Sequence, residues 1–172
     1  MLELLMVVAI VAVLAGIGIP SMRSFFAPAK IRAAASDVIA ELALARSEAI
    51  RRGVPVSICP TTSDCSGTGT PACSGSNNWN GNHLVFVDLA GTRGDFEPTL
   101  SPPDILLRCV TIDSSVAIVL TSATVPTFIS ASPSGWIDTD GQFNVCATGQ
   151  KRREIVFKRT GKTENRLTDQ NC

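Results

Sequence analysis

The sequence is poor in the groups that catalysis and metal binding need. It contains one histidine, His83, in 172 residues, and none of its six cysteines lies in a C-x-x-C pair. A cysteine–histidine zinc site would lack its ligands, and a nucleophilic serine would lack a second histidine to support it. Neither a G-x-S-x-G elbow nor a phosphate-binding P-loop is present. The sequence therefore predicts a protein that is not an enzyme and that holds no cofactor or metal.

A surplus of charge is also missing. Lys and Arg number 15, as do Asp and Glu, so the formal net charge is zero. Bulk electrostatics therefore give no reason to expect binding to nucleic acid or to anionic lipid, although a local cluster still could bind them. Such a cluster lies near the C terminus and consists of Lys151, Arg152, Arg153, Lys158, Arg159, Lys162 and Arg166.

Charge is absent again from the apolar run that follows Glu3. As a helix, the run from Leu4 to Met22 spans roughly 28 Å at about 1.5 Å per residue, close to the thickness of a bilayer core. A cleavable secretory signal is the alternative, but it needs a cationic start, whereas this start is anionic and Arg23 follows the run. The sequence therefore predicts a single-pass membrane helix over residues 1–22. An unpaired carboxylate is costly in hydrocarbon, so Glu3 is expected to meet a cation.

The helical pattern continues through residues 23–53 as an amphipathic segment. Its apolar residues recur at alternating spacings of four and three, which is typical of a helix packed along a partner. Arg51 and Arg52 suit the negative end of the helix dipole, and Gly53 supplies the stop. The seam fits packing on the helix's own domain and packing on other subunits equally well. It consists of Ile31, Ala35, Val38, Leu42, Ala45 and Ala49.

After Gly53 the chain changes to short runs rich in Val and Ile, separated by Gly, Pro, Asn and Ser. We interpret these runs as antiparallel strands packed on the helix, so that residues 54–172 form the sheet domain of an α+β fold. Asp140-Gly141 predicts a two-residue hairpin turn, and Thr160-Gly161 predicts another turn. The predicted strands are Val54 to Cys59, His83 to Asp88, Ile105 to Ile112, Val116 to Thr121, Phe143 to Val145 and Glu154 to Arg159.

The cysteines predict a fold stapled by disulfides in an oxidising compartment. Spacing alone does not fix their connectivity. We predict that Cys146 pairs with Cys172, which would tie down a polar C-terminal tail, and that Cys65 pairs with Cys73 inside a surface loop between Thr61 and Asn82. The six disulfide candidates are Cys59, Cys65, Cys73, Cys109, Cys146 and Cys172.

Two further polar features have simple interpretations. His83 begins a predicted strand, and we predict that it is a residue at the solvent edge rather than a catalytic base. The acidic loop from Asp88 to Asp95 offers two carboxylates, yet it lacks the dense spacing of oxygen ligands that a calcium loop needs.

Several stretches resemble a known family. The N-terminal LELLMVVAIVAVLAGIGIPSM is similar to the signature of type IV pilins and type II secretion pseudopilins, in which a glutamate leads an apolar helix that ends near a proline. Here these are Glu3 and Pro20. ARSEAIRRGVPVSICP, GNHLVFVD and REIVFKRTGK resemble the FimT/GspH family of minor pilins and pseudopilins. The resemblance is weaker from Asp95 to Thr139.

The resemblance implies a type IV pilin-like fold and a role in a filament. It implies that Glu3 meets the N-terminal ammonium of a neighbouring subunit, that the helix binds other pilin or pseudopilin subunits, and that an assembly platform and a prepilin peptidase act on the chain. The family carries a basic leader and a methylated N-terminal phenylalanine, so we expect this chain to begin about two residues inside the mature protein. Before assembly, the helix is expected in inner-membrane lipid, with the C-terminal domain in the periplasm.

Three functions are then open, of which a minor pilin that helps to prime assembly of a type IV pilus is favoured. The alternative is the H-type pseudopilin of a type II secretion system. A third is a DNA-binding subunit for DNA uptake, since some FimT-like pilins bind DNA through a C-terminal Gly-Arg-x-Arg stretch. Here Gly161-Lys162-Thr163-Glu164 replaces that stretch, and Glu164 would repel phosphate. The sequence therefore favours a solvated strand face for Lys158, Arg159, Lys162 and Arg166.

Overall fold

The computed structural model describes residues 2–67, 69–124 and 126–172; inside its helix, the side chains of residues 2, 5 and 14–25 lie outside that description. The described residues form one α-helix and eight β-strands. They are α1 Leu2–Arg52, β1 Val56–Thr61, β2 Asn82–Val87, β3 Ile105–Val110, β4 Ala117–Thr121, β5 Ile129–Ala131, β6 Gly141–Cys146, β7 Lys151–Phe157 and β8 Thr163–Asn171.

The C-terminal half of α1 forms one wall of the core. All six seam residues are buried, from Ile31 at 3% exposure to Ala49 at 0%, in one cluster with residues of the sheets. The seam therefore packs on the chain's own domain. The helix ends as predicted, because Gly53 adopts φ +71° and its N–H donates to the carbonyl of Ala49 at 2.9 Å.

The described side chains from Leu4 to Val13 lie outside this core. The described large apolar side chains between Leu4 and Val13 are all more than half exposed. No helix among the described residues combines the length and the apolar character that crossing a bilayer requires. The predicted membrane segment, residues 1–22, falls largely on side chains outside the described set and stays a prediction.

The strands form two antiparallel four-stranded sheets within the described residues, in the orders β3-β2-β1-β5 and β4-β6-β7-β8. α1 contacts strands of both sheets. Alternation along β2 divides its side chains: Val85 and Val87 join the main core beneath the helix, while Leu84 and Phe86 join a second cluster on the opposite face. The α+β architecture with a helix packed on antiparallel sheets is therefore confirmed.

The loop between β1 and β2 covers that opposite face and is held there by two disulfides. Cys59 of β1 pairs with Cys73, and Cys65 pairs with Cys109 of β3. The predicted Cys65–Cys73 pair is wrong. Cys59 and Cys109 each lie opposite Leu84 in the strand register, so their side chains share the face of the sheet that the loop covers. The two disulfides therefore attach the loop to two different strands, β1 and β3.

The predicted pair of Cys146 and Cys172 is confirmed. Replacing both with serine should lower the free energy of unfolding by about 3 kcal/mol, because the disulfide closes a loop with a sequence separation of 26 and restricts the unfolded chain. Urea denaturation of the full chain in detergent micelles, with the other disulfides intact, measures the change. A loss below about 1 kcal/mol would show that β8 is held by its pairing alone.

Strand prediction failed in three places, the first of which is the short strand β5, Ile129–Ala131, which was not predicted. The predicted Asp140-Gly141 hairpin is wrong, because Gly141 is the first residue of β6. A Cβ added at Gly141 would lie 2.6 Å from Phe157 Cζ, so the absence of a side chain here makes room for the Phe157 ring. β8 was missed because its sequence, TENRLTDQN, is polar. It is an edge strand, held by main-chain pairing with β7 across the predicted turn at Thr160-Gly161.

Candidate functional site

The exposed N-terminal part of α1 is the first candidate site. Glu3 lies in the first turn of the helix and is exposed. Apolar side chains surround the helix after it, with exposures of 69% for Leu4, 55% for Val7 and 63% for Val13. A helix that is apolar on every side needs either lipid or several neighbouring helices. The side chain of Pro20, the other predicted assembly residue, lies outside the described residues.

The predicted cationic patch is divided by an acidic residue. Lys158 and Arg159 lie in the turn between β7 and β8, and Lys162 and Arg166 follow it. Glu164 lies 2.7 Å from Lys162 Nζ and also pairs with Arg166. Hydrogen bonds, mainly from Lys162 and next from Arg166, lower the pKa of Glu164 to about 2, so this carboxylate stays ionised. It therefore pairs with two of the four cations of the patch.

His83 is in the core, so its predicted place at the solvent edge is wrong. Its side chain is 0% exposed, and that of Glu41 on α1 is 3% exposed. His83 Nδ1 lies 3.0 Å from Glu41 Oε2, and Nε2 lies 2.9 Å from the carbonyl oxygen of Trp79. The ring of Trp79 packs edge to face on His83 and on Phe143, and its Nε1–H donates to the carbonyl of Pro126. The pair thus joins the helix, β2 and the covering loop.

The geometry fixes one proton of this pair. A carbonyl only accepts, so His83 Nε2 carries a proton. Burial lowers the pKa of His83, but the charge of Glu41 and the hydrogen bonds with Glu41 and Trp79 together outweigh it, so the pKa lies above 6.5. When both ring nitrogens are protonated, His83 donates to Glu41 as well as to the Trp79 carbonyl, and the raised pKa means that this form persists to higher pH than in a free imidazole. Among the described residues, Glu41 Oε1 has no hydrogen-bond partner.

This buried pair predicts a dependence of stability on pH. The raised pKa means that its contribution is fully present below the unfolded-state value of about 6.5 and is lost as pH rises through the folded-state pKa. The free energy of unfolding of the full chain in micelles should therefore fall as the pH rises above about 6.5. In the Glu41→Leu/His83→Leu variant this fall should be absent. An equal fall in both proteins would mean that other groups cause it.

The acidic loop after β2 uses the carboxylate of Asp88 internally. Asp88 accepts hydrogen bonds from the Ser57 hydroxyl at 2.5 Å and from the Gly94 N–H at 2.9 Å. Asp104 accepts from the N–H groups of Leu89 and Ala90. These carboxylates hold the loop's main chain, and no cluster of metal-ligating side chains occurs among the described residues.

Comparison with known proteins finds a matching family and similar solved structures. The model of the family "Type II transport protein GspH" matches residues 34–161. The type IV minor pilin FimU of Pseudomonas aeruginosa, in one crystal form, is 16% identical with a TM-score of 0.57, over 84% of this chain and 97% of FimU. The minor pseudopilin EpsH of Vibrio cholerae is 11% identical with a TM-score of 0.55, over 82% of this chain and 99% of EpsH. No curated protein sequence matches significantly.

Proposed function

Because this chain belongs to the GspH family of minor pilins and pseudopilins, we propose that it is a minor subunit of a type IV pilus that helps to prime filament assembly. It acts as a structural subunit rather than an enzyme. Before assembly it is held in the inner membrane with its C-terminal domain in the periplasm. A prepilin peptidase and an assembly platform act on it, as the resemblance of its N-terminal segment implies.

The observation that carries this proposal is the contrast between the two parts of α1. From Ile31 to Ala49, the apolar seam is satisfied by the chain's own sheets. From Leu4 to Val13, the apolar side chains have no cover from the domain. At about 25 cal/mol per Å² of apolar surface removed from water, covering this part of the helix is strongly favourable. Lipid covers it before assembly, and the helices of neighbouring subunits cover it in a filament.

Glu3 gives this packing its register. Helices with apolar surfaces on all sides can slide along one another, because no contact prefers one axial position. A carboxylate at one end pairs best where a cation of the neighbour meets it, since neither charge is solvated there. The N-terminal ammonium of the neighbouring subunit supplies this cation.

The H-type pseudopilin of a type II secretion system is the second candidate, supported by the family model and by the fold shared with EpsH. Deletion of the gene in its own bacterium separates the two. If the chain is a pilus subunit, the deletion should reduce the number of sheared pili and leave secreted enzymes unchanged. In the complemented strain, the tagged chain should be recovered from the sheared pili. Loss of secretion with normal piliation would assign the chain to the secretion system instead.

DNA binding is the third candidate and predicts a specific effect of Glu164. In the wild type, duplex DNA should bind weakly at physiological salt, because Glu164 occupies Lys162 and Arg166. Glu164→Gln releases both cations, so affinity should rise several-fold and the log–log salt slope should steepen by roughly 1 to 2. Fluorescence anisotropy with the full chain in micelles measures both. Sub-micromolar binding by the wild type, lost on reversing Lys162 and Arg166 to Glu, would promote DNA uptake to the leading function.

A further inference from the structure

A guanidinium with few acceptors lies near the C-terminal end of α1. Arg46 Nη1 makes one long hydrogen bond, 3.4 Å, to the carbonyl oxygen of Gly161, and the buried Nε has no partner among the described residues. Within the described ranges of the chain, no carboxylate lies within ion-pair distance of Arg46. A guanidinium has five N–H donors, so most of the hydrogen-bonding capacity of Arg46 is unused.

Two glycine turns hold this guanidinium in place. Gly135 and Gly161 both adopt φ +81°, and a Cβ added at Gly161 would lie 2.5 Å from Arg46 Cζ. A Cβ at Gly135 would lie 3.3 Å from Arg46 Nε. Both turns are closed by main-chain hydrogen bonds, from Ser132 N–H to the Trp136 carbonyl and from Lys158 N–H to the Lys162 carbonyl. The guanidinium is therefore positioned before any ligand arrives, which lowers the entropic cost of binding.

A pocket of about 320 Å³ opens beside Arg46. One helix face and the start of β8 form it, and apolar groups supply much of its wall. Ile50, one helical turn after Arg46, is 53% exposed, and Trp136, which follows Gly135 in its turn, is 56% exposed. Exposed Trp and Arg side chains are enriched in the parts of interfaces that carry most of the binding energy. The pocket residues are Leu42, Ala43, Arg46, Ser47, Ile50, Gly161 and Thr163.

We propose that this pocket binds a carboxylate side chain of a neighbouring filament subunit. The carboxylate accepts hydrogen bonds from Arg46, and an adjacent apolar side chain of the same partner segment packs on Ile50. Charge favours such a partner, because the turn that holds Arg46 also presents the exposed side chains of Lys158 and Arg159. Neither side chain forms an ion pair among the described residues, although the main-chain N–H of Arg159 donates to the Asp140 carboxylate at 2.6 Å. The identity of the partner as a filament subunit rests on the proposed function, whereas the carboxylate chemistry does not.

A protein carboxylate fits this pocket better than a nucleic-acid backbone does. Phosphates are tracked by a row of exposed cations. Here one guanidinium lines the pocket beside apolar walls. Lys158 and Arg159 are near it, but Glu164 already pairs with Lys162 and Arg166, so the row of cations is interrupted. A planar guanidinium can instead bind one carboxylate through two parallel N–H···O hydrogen bonds. A lysine ammonium cannot form this bidentate geometry.

Photo-crosslinking in the full chain, in its own bacterium, tests the proposal, first with Arg46 intact and then with Arg46 substituted. Benzoylphenylalanine replaces Ala43, which is exposed and lines the pocket. Val119 is the control position, because it is 54% exposed and lies on β4, at the opposite edge of the sheet from β8. The Ala43 probe should crosslink to a pilin or pseudopilin subunit within a few residues of an Asp or Glu. Arg46→Gln should then lower the yield about tenfold, with Arg46→Lys between the two.

Charge exchange completes the test. Arg46→Glu should abolish the crosslink, and replacing the partner's carboxylate residue with arginine should restore it. An Ala43 yield no higher than that at Val119 would overturn the proposal, as would a yield that Arg46→Gln leaves unchanged. A crosslink that maps to nucleic acid would also overturn it, in favour of phosphate. A chain that crosslinks to an acidic partner but is never recovered in filaments would support the pocket and refute the proposed function.

Discussion

His83→Leu is expected to lower the free energy of unfolding by about 3 to 5 kcal/mol. The substitution leaves Glu41 with an ionisable carboxyl group in the core and no proton donor, since Glu41 Oε1 already lacks a partner among the described residues. Glu41→Leu should cost less. In that variant His83 can lose a proton and become neutral while Nε2–H still donates to the Trp79 carbonyl.

The double variant should recover most of the loss. Glu41→Leu/His83→Leu removes both charges and fills the space with apolar groups, and replacing a whole buried pair in this way is often close to neutral. Only the hydrogen bond to the Trp79 carbonyl stays lost, so the double variant should unfold within about 1 to 2 kcal/mol of the wild type. The coupling energy of this double-mutant cycle measures the pair directly.

Urea denaturation at about pH 6, followed by Trp79 fluorescence of the full chain in micelles, gives the four free energies. Trp136→Phe in all four proteins removes the signal of the exposed tryptophan. Additive losses in the two single variants would contradict a coupled ion pair. They would show that His83 stabilises the core only by its bulk.

The structure also shows which features a sequence can reveal. The seam from Ile31 to Ala49 and the stop at Gly53 were predicted because a helix repeats regularly and its end has a local chemical signal. β8 has no such signal. Its polar residues are stabilised by pairing with β7, and that pairing depends on the tertiary fold rather than on local preference.

Long-range partners account for the other errors. Nothing near His83 in the sequence indicates that Glu41 would meet it, because the helix and β2 approach only in the folded chain. Likewise, Cys65 and Cys73 are close in sequence, but each pairs with a cysteine on a strand under the loop. The spacing of Cys59 and Cys109 carried no sign that they share one face of a sheet.

Glu3→Ala is expected to remove the chain from filaments without removing it from the membrane. The helix then lacks the charge that fixes its register, while its apolar surface grows slightly and favours lipid at least as well as before. Even a loss of about 1.4 kcal/mol at the assembly step reduces incorporation tenfold, and an unpaired ammonium in the neighbour would cost more. Glu3→Gln should behave like Glu3→Ala, because it keeps the shape of the side chain but not its charge.

Quantifying the chain in sheared filaments tests the central claim of assembly through α1 most directly. Wild type, Glu3→Ala and Glu3→Gln are compared with Val7→Ala, which trims an exposed apolar side chain of the same helix. Each filament amount is divided by the amount in the membrane fraction. We expect the ratio for both Glu3 variants to fall at least about tenfold, while the ratio for Val7→Ala stays close to that of the wild type. Recovery of Glu3→Ala at the wild-type ratio would contradict it.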